Sequence, residues 1–358
     1  MPYILQRLEY SGSNPQIGVI DTDSQESSEI DLGLGYDIPA FGFWTDRRYC
    51  RCGTVITKKQ PLEEDFDPVL SANLNYMCPN CAKADQLNSC TISGVWRDER
   101  DLIGCHRCYK WSSECVNGYC LYVSMLTRSQ SELKVGITRV GRRNQRAAEA
   151  GYTLMGILMP EGRNSLSLPE AEFLEKRIIS GQTIRFENQC VKINQRFTRD
   201  LGMVGSEFTQ KLTHDALLTE LTAEDRRKFI DMIDCILRSA NAKCADYQAD
   251  SAAIKLTPLF LAELIEDRGI QVEREELSRI DPKNLVGLES KIYKGRRYRR
   301  IPIKNRIIAI KGPCIVMNAQ GTPVVFRLNK FGVAGREIFN PTTIIDHNSE
   351  KETSLDWY

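Results

Sequence analysis

Nine of the chain's thirteen cysteines fall between Cys50 and Cys120. Cys50 and Cys52 stand in YCRCGTVITKK, and Cys78 and Cys81 in CPNC. Two thiolates on each of two tight turns close a tetrahedral Zn²⁺ site, because each turn aims both sulfurs at one point. The pair at 78 and 81 has the usual spacing, while the pair at 50 and 52 is tighter. A second group follows: Cys90 alone, Cys105 and Cys108 in CHRC, then Cys115 and Cys120. His106 is either a replacement ligand or a solvated loop residue. Cys120 alternates with Tyr119 and Leu121, so it reads as a strand residue. Four protein ligands leave no position open for substrate, so both zinc ions would be structural. They would hold a loop-rich module that buries little apolar surface of its own.

Thiols bind metal rather than one another in a reducing compartment. MPYILQRLEYSG has no signal-peptide apolar core, and no run of about 18 apolar residues exists. A cytoplasmic chain without membrane contact is therefore expected. Its 358 residues suggest two or three compact units, and a hydrophobic content of 42% is ordinary for a folded chain. A net charge of +1 carries no global basic signature, so any nucleic-acid binding must come from local patches.

Between the cysteines and the C-terminal half lies a run of short, well-punctuated elements. YCLYVSM and LKVGIT are apolar and rich in β-branched or aromatic residues, with a polar run between them, so they predict a hairpin. Residues 142–150 have helix composition, with Gly151 at the natural stop. A third strand is expected over 152–159, ended by Pro160. A second helix is expected over 168–179, with Pro169 in its first turn and acids early.

This ββαβα order, with LYV followed by KVG, resembles the GIY-YIG nuclease domain. In that family a Tyr of the first triplet, the second triplet, an Arg on the first helix and a Glu on the second converge on one phosphodiester. The resemblance places Tyr122, Lys134, Arg146 and Glu172 in those roles, with Lys134-Val135-Gly136 standing as the second triplet. It implies that Glu172 holds Mg²⁺ or Mn²⁺, that Arg146 neutralises transition-state charge, and that Tyr122 orients or activates water. Lys134 departs from the family's Tyr: a desolvated Lys134 suits base work, a charged one suits phosphate anchoring. Arg139, Arg142 and Arg143 compete for the role of Arg146, and Glu170 and Glu175 for that of Glu172. Over nearly the whole chain, CGTVITKK, CPNC, KVGITR, AEFLEKRIISGQT and IIAIKGPCIVMN are similar to a prokaryotic family of unknown function, the one numbered 2797. That likeness picks Cys90, Cys105, Cys108 and Cys115 as the second zinc set.

Basic residues gather in two further places. Arg97, Arg100, Arg107 and Lys110 interleave with Trp96, Tyr109 and Trp111, though Asp98, Glu99 and Asp101 are mixed among them. KIYKGRRYRRIPIKNR is denser, with Arg296, Arg297, Arg299 and Arg300 beside Tyr293 and Tyr298, a composition suited to phosphates and bases. Arg139 and Arg142 would join these as nucleic-acid contacts. LTHDALLTEL, AEDRRKFIDMIDCILRSANA and TPLFLAELIEDRG predict helices. In the second, Phe229, Met232, Ile233, Ile236 and Leu237 make one apolar stripe, and Thr222 with Asp225 is a candidate N-terminal cap. His214, Cys235 and Cys244 read as packing residues.

The expected architecture is α+β, in six segments. These are an N-terminal β element (1–49), a cysteine-rich double zinc module (50–118) and a GIY-YIG-like domain (119–195). A helical segment (196–284), a basic, barrel-like β domain (285–340) and a polar tail (341–358) follow. The expected function is divalent-metal-dependent hydrolysis of DNA or RNA. The alternative is a zinc-containing nucleic-acid-binding protein without catalysis. Elemental analysis of the purified chain is expected to find about two zinc ions per molecule, released by thiol-modifying reagents.

Overall fold

The computed structural model describes residues 3–11, 14–21, 23–24, 26–35, 42–44, 48–50, 54–56, 95–97, 103–105, 118–127, 132–179, 183–187, 189–195, 197, 201, 207–218, 220–250, 258–266, 270–288, 290–293, 296–300, 305–327 and 336–339. The fold is mixed α+β, with more sheet than helix. Cys52, Cys78, Cys81, Cys90, Cys108, Cys115 and the tail 341–358 lie outside these residues, as do His106 and the side chain of Cys105. No helix among the described residues is long and apolar enough to cross a membrane.

The chain forms two compact units, each drawn from separated segments. One comprises Asn88–Asp200 and Thr219–Arg268; the other comprises Met1–Leu87, Leu201–Leu218 and Gly269–Tyr358.

The first unit is built on a six-stranded sheet. Its elements are β1 (Tyr119–Met125), β2 (Glu132–Arg139), α1 (Arg143–Ala150), β3 (Leu154–Pro160), α2 (Leu168–Ile179), β4 (Thr183–Phe186), β5 (Gln189–Asn194), α3 (Ala223–Asp250) and β6 (Leu259–Glu266). The strand order is β4-β5-β2-β1-β3-β6, antiparallel throughout except for the parallel pair β2 and β5. The ββαβα order of 119–179 is the order read from the sequence. Gly151 ends α1 with φ +69°, a conformation open to glycine, and its amide meets the carbonyls of Ala147 and Ala148. Ser167 and Glu170 cap α2 reciprocally: the Ser167 amide donates to Glu170 Oε2 at 2.8 Å, and the Glu170 amide donates to Ser167 Oγ at 3.4 Å. Thr222 and Asp225 do the same for α3.

All seven residues of β1 and of β3 are buried, as a central strand covered on both faces requires. Tyr119, Leu121, Val123, Met125, Leu133, Val135, Leu154 and Leu158 form one apolar face. Ala171, Leu174 and Ile178 of α2 pack on it with Phe229, Ile233, Ile236 and Leu237 of α3, and Met232 lies at the edge of that stripe. Alternation along the strands places Tyr122, Lys134 and Gly136 on the opposite face. At Gly156 the helix comes so close that an added Cβ would lie 2.4 Å from Ile233 Cδ1.

The helix expected over TPLFLAELIEDRG is corrected: Leu259–Glu266 is a strand. It pairs antiparallel with β3 from Leu154↔Glu266 to Pro160↔Leu259. The buried backbone groups along the outer edge of β3 need partners, and that demand overrides local helix propensity.

The second unit holds two sheets. Seven strands run in the spatial order Ser290–Tyr293, Arg296–Arg300, Gly42–Trp44, Arg336–Phe339, Tyr3–Ser11, Asn14–Asp21, Ser27–Asp31. Five run Gln271–Val272, Asn305–Lys311, Cys314–Ala319, Thr322–Arg327, Val286–Gly287. The barrel expected over 285–340 does not close among the described residues, because its basic hairpin pairs with Gly42–Trp44 and leaves the other strands in a separate open sheet. Lys311 is buried and donates to the Ala216 carbonyl at 2.9 Å, near the C-terminal end of helix Glu207–Leu218, where a cation complements the helix dipole.

Phe229 is fully buried between α3 and the sheet. Phe229→Ala is expected to cost about 3–5 kcal/mol by urea unfolding followed by circular dichroism.

Candidate active site

The site grows from one close approach. Gly136 of β2 pairs across to Tyr122 of β1. A Cβ on Gly136 would lie 2.5 Å from the Tyr122 hydroxyl oxygen and 2.6 Å from Cζ. Glycine is therefore needed for the ring to lie flat over the neighbouring strand, and this is the physical content of the KVG triplet. Two residues back, Lys134 lies on the same face by alternation. α1 supplies Arg146, whose guanidinium charge bears on the Tyr122 hydroxyl.

A fourth member was not singled out from the sequence. Gly151 turns the chain so that the Tyr152 amide bonds back to the Ala147 carbonyl at 3.1 Å. The Tyr152 hydroxyl lies 3.3 Å from that of Tyr122 and accepts a hydrogen bond from Lys134 Nζ at 2.7 Å. The two rings are 5.7 Å apart, with Lys134 Nζ 5.9 Å and 5.3 Å from their centroids. Phe197 meets Tyr152 edge-on. The signal that existed was a buried-strand tyrosine whose hydroxyl must find a partner.

Charge in the cluster is unbalanced toward the positive. Burial alone would raise the Tyr122 phenol, but the Lys134 ammonium and Arg146 guanidinium bring it down to about 8, helped by the Tyr152 hydroxyl. Tyr152 is pushed up to about 12 by burial and by the neighbouring Tyr122 phenolate. Burial pulls Lys134 down, yet the two phenols outweigh it and hold the ammonium above its ordinary range. Of the two roles open to Lys134, the charged one fits this environment. Arg146 is likewise raised, chiefly by Tyr122.

The rival basic residues are engaged elsewhere. Arg142 is exposed and paired with Glu149 at 3.1 Å, and Arg143 pairs with Glu263 and with the Val140 carbonyl. Arg139 ends β2 opposite Tyr119, on the other face from Lys134. Arg297 and Arg299 are exposed on the strand Arg296–Arg300 of the second unit; for Arg296 and Arg300 the backbone alone is described.

Three glutamates lie on α2. Glu170 is taken up by its cap and by a two-pronged pair with Arg163 at 2.8 and 2.9 Å. Glu172 and Glu175 share a helix face at i and i+3, and Glu172 Oε2 is buried. Burial raises the Glu175 carboxyl to about 7, against a hydrogen bond from Gln195 at 3.2 Å; Glu172 adds to the rise and Lys134 opposes it. Two hard oxygen donors, one of which already takes up a proton readily, suit Mg²⁺ or Mn²⁺, which bind one or two carboxylates and complete their shells with water and phosphate. No group of three or more His, Cys, Asp or Glu gathers for a metal among the described residues. Cys50 is buried beyond the strand Arg48–Tyr49, and its amide closes a turn onto Thr54 at 2.8 Å. Cys120 belongs to β1, its thiol directed at the Thr138 carbonyl.

Compared with known proteins, the chain matches no family model, no curated protein and no solved structure.

A raised Glu175 carboxyl means the folded state binds this proton more tightly than the unfolded one. Its stabilising share is full below the ordinary carboxylate range and is lost as pH rises through about 7. In chelator-treated buffer, Glu175→Gln is expected to raise Tm at pH 8 and leave it nearly unchanged at pH 4, by thermal melts across that range.

Proposed function

We propose that the chain is a divalent-metal-dependent nuclease with a GIY-YIG-like core, acting on phosphodiester bonds of DNA or RNA. One observation carries this reading: Tyr122 lies among two cations, Lys134 and Arg146, on one sheet face, and the Lys134 charge also reaches Glu175 of α2. As phenolate, Tyr122 accepts a proton from a water molecule. The resulting hydroxide attacks phosphorus, the bond to the leaving oxygen breaks with its electron pair, and that oxygen takes a proton from solvent. Arg146 and Lys134 neutralise the charge that builds on the phosphoryl oxygens. Glu172, with Glu175 beside it, would hold Mg²⁺ or Mn²⁺, whose contribution is Lewis acidity toward the phosphoryl group. Structural zinc belongs to the same proposal and rests on the cysteine spacing. Exposed Arg297 and Arg299 favour a nucleic-acid partner.

A second reading has its own support. Tyr122 and Tyr152 are 1% and 2% exposed, so the phenols are covered in this state. That favours a nucleic-acid-binding protein in which Lys134 and Arg146 anchor phosphate and no bond is cut.

Cleavage of mixed DNA and RNA substrates with and without Mg²⁺ or Mn²⁺ separates the two. Metal-dependent cutting is expected, lost in Glu172→Ala and reduced by about 10²–10⁴-fold in Tyr122→Phe, with folding retained. Equal binding by native and Glu172→Ala chains with no cutting by either would establish the non-catalytic reading.

A further inference from the structure

Tyr152 is unused by the mechanism above, yet its hydroxyl is the best-connected atom of the cluster. An ammonium has hydrogens to give and no lone pair to offer, so in the 2.7 Å contact Lys134 donates and Tyr152 accepts. With its oxygen engaged from that side, the Tyr152 hydrogen has the Tyr122 oxygen, 3.3 Å away, as its neighbour. The Arg146 guanidinium bears on the same oxygen from α1 through its charge. The Tyr122 oxygen thus faces one hydroxyl donor and one cation from separate parts of the chain, which is how a developing anion is held. Phe197 closes over the Tyr152 ring at 6.2 Å and restricts its movement.

We infer that Tyr152 is a positioning residue for Tyr122: clamped by Lys134, its hydroxyl donates to the Tyr122 oxygen and, beside the Arg146 charge, fixes that oxygen as the proton acceptor of the site. This inference rests on the nuclease reading for its purpose, but its geometry exists without substrate. The charged groups that bear on the pair are Lys134 of β2 and Arg146 of α1. Glu149 acts on Arg146 from within α1, and Glu175 of α2 acts on Lys134.

The test is an ultraviolet tyrosinate titration of the full-length chain, read beside its rate–pH profile on the substrate mixture. The native chain is expected to show one tyrosine ionising near pH 8, absent in Tyr122→Phe. In Tyr152→Phe this step is expected to rise by about one to two pH units, the worth of a hydrogen bond to a charged group, and the ascending, acid-side limb of the rate profile to move to higher pH with it. A Tyr152→Phe chain whose Tyr122 step stays in place overturns the inference and leaves Tyr152 as a packing aromatic. Should that variant fail to fold, native chain labelled at tyrosine ¹³Cζ decides: both resonances must respond at the Tyr122 step, and a silent Tyr152 overturns the inference. Absence of cleavage with the step still displaced supports the pairing and overturns the nuclease reading alone.

Discussion

A lysine and an arginine stand in a largely dehydrated corner of the sheet, with two phenols rather than two carboxylates for company. Burying a cation costs free energy unless something nearby carries or can take on negative charge. A carboxylate would satisfy that demand permanently and leave nothing for a ligand. A phenol satisfies it conditionally, by ionising when no other anion is present. The corner therefore keeps a surplus of positive potential. Gly136 makes room for the ring, and Arg163 and Ser167 occupy Glu170. Glu149 and Glu263 hold the other two basic residues of the 142–150 region away from it.

The helix that carries the acids shows how one element meets two demands. Ala171, Leu174 and Ile178 seal the apolar face of the sheet, while Glu172 and Glu175 lie outside that apolar cluster, Glu175 within reach of the Lys134 charge near the start of β2. The parallel pairing of β5 with β2 fixes this flank: Lys134 stands in register with Asn194, one residue before the Gln195 that holds Glu175. Packing of the core thereby sets the distance between acid and base, and a shift of α2 along the sheet would alter both together.

Much of this was legible in the sequence, for physical reasons that can be named. Strong punctuation at Gly151, Pro160 and Pro169 delimited the ββαβα run, because glycine and proline restrict where a chain can turn. The stripe on α3 was readable because an apolar face repeats at the helical period. Tyr152 was not, since its part depends on a left-handed turn bringing residue 152 beside residue 122, and nothing local marks that contact. Strand β6 was misread for a related reason. LFLAELIE satisfies either period, and the edge of β3 decided between them. The distinction among Glu170, Glu172 and Glu175 likewise needed the capping contacts, which depend on the placement of Arg163.

The late arrival of β6 has a consequence for the chain as it is made. β1, β2 and β3, with the helix that bears Arg146, are complete within the first 160 residues, whereas the strand that closes the edge of β3 begins at Leu259. The ribosome extends the chain at about 5–20 residues per second. For several seconds the nascent chain thus presents a fully apolar strand with an open hydrogen-bonding edge, before α3 and β6 emerge to cover it. Such an edge invites pairing with another nascent chain. A gene fragment ending near residue 200 would hold that exposed state indefinitely, so the tyrosine-bearing sheet is heritable only together with the segment that completes it.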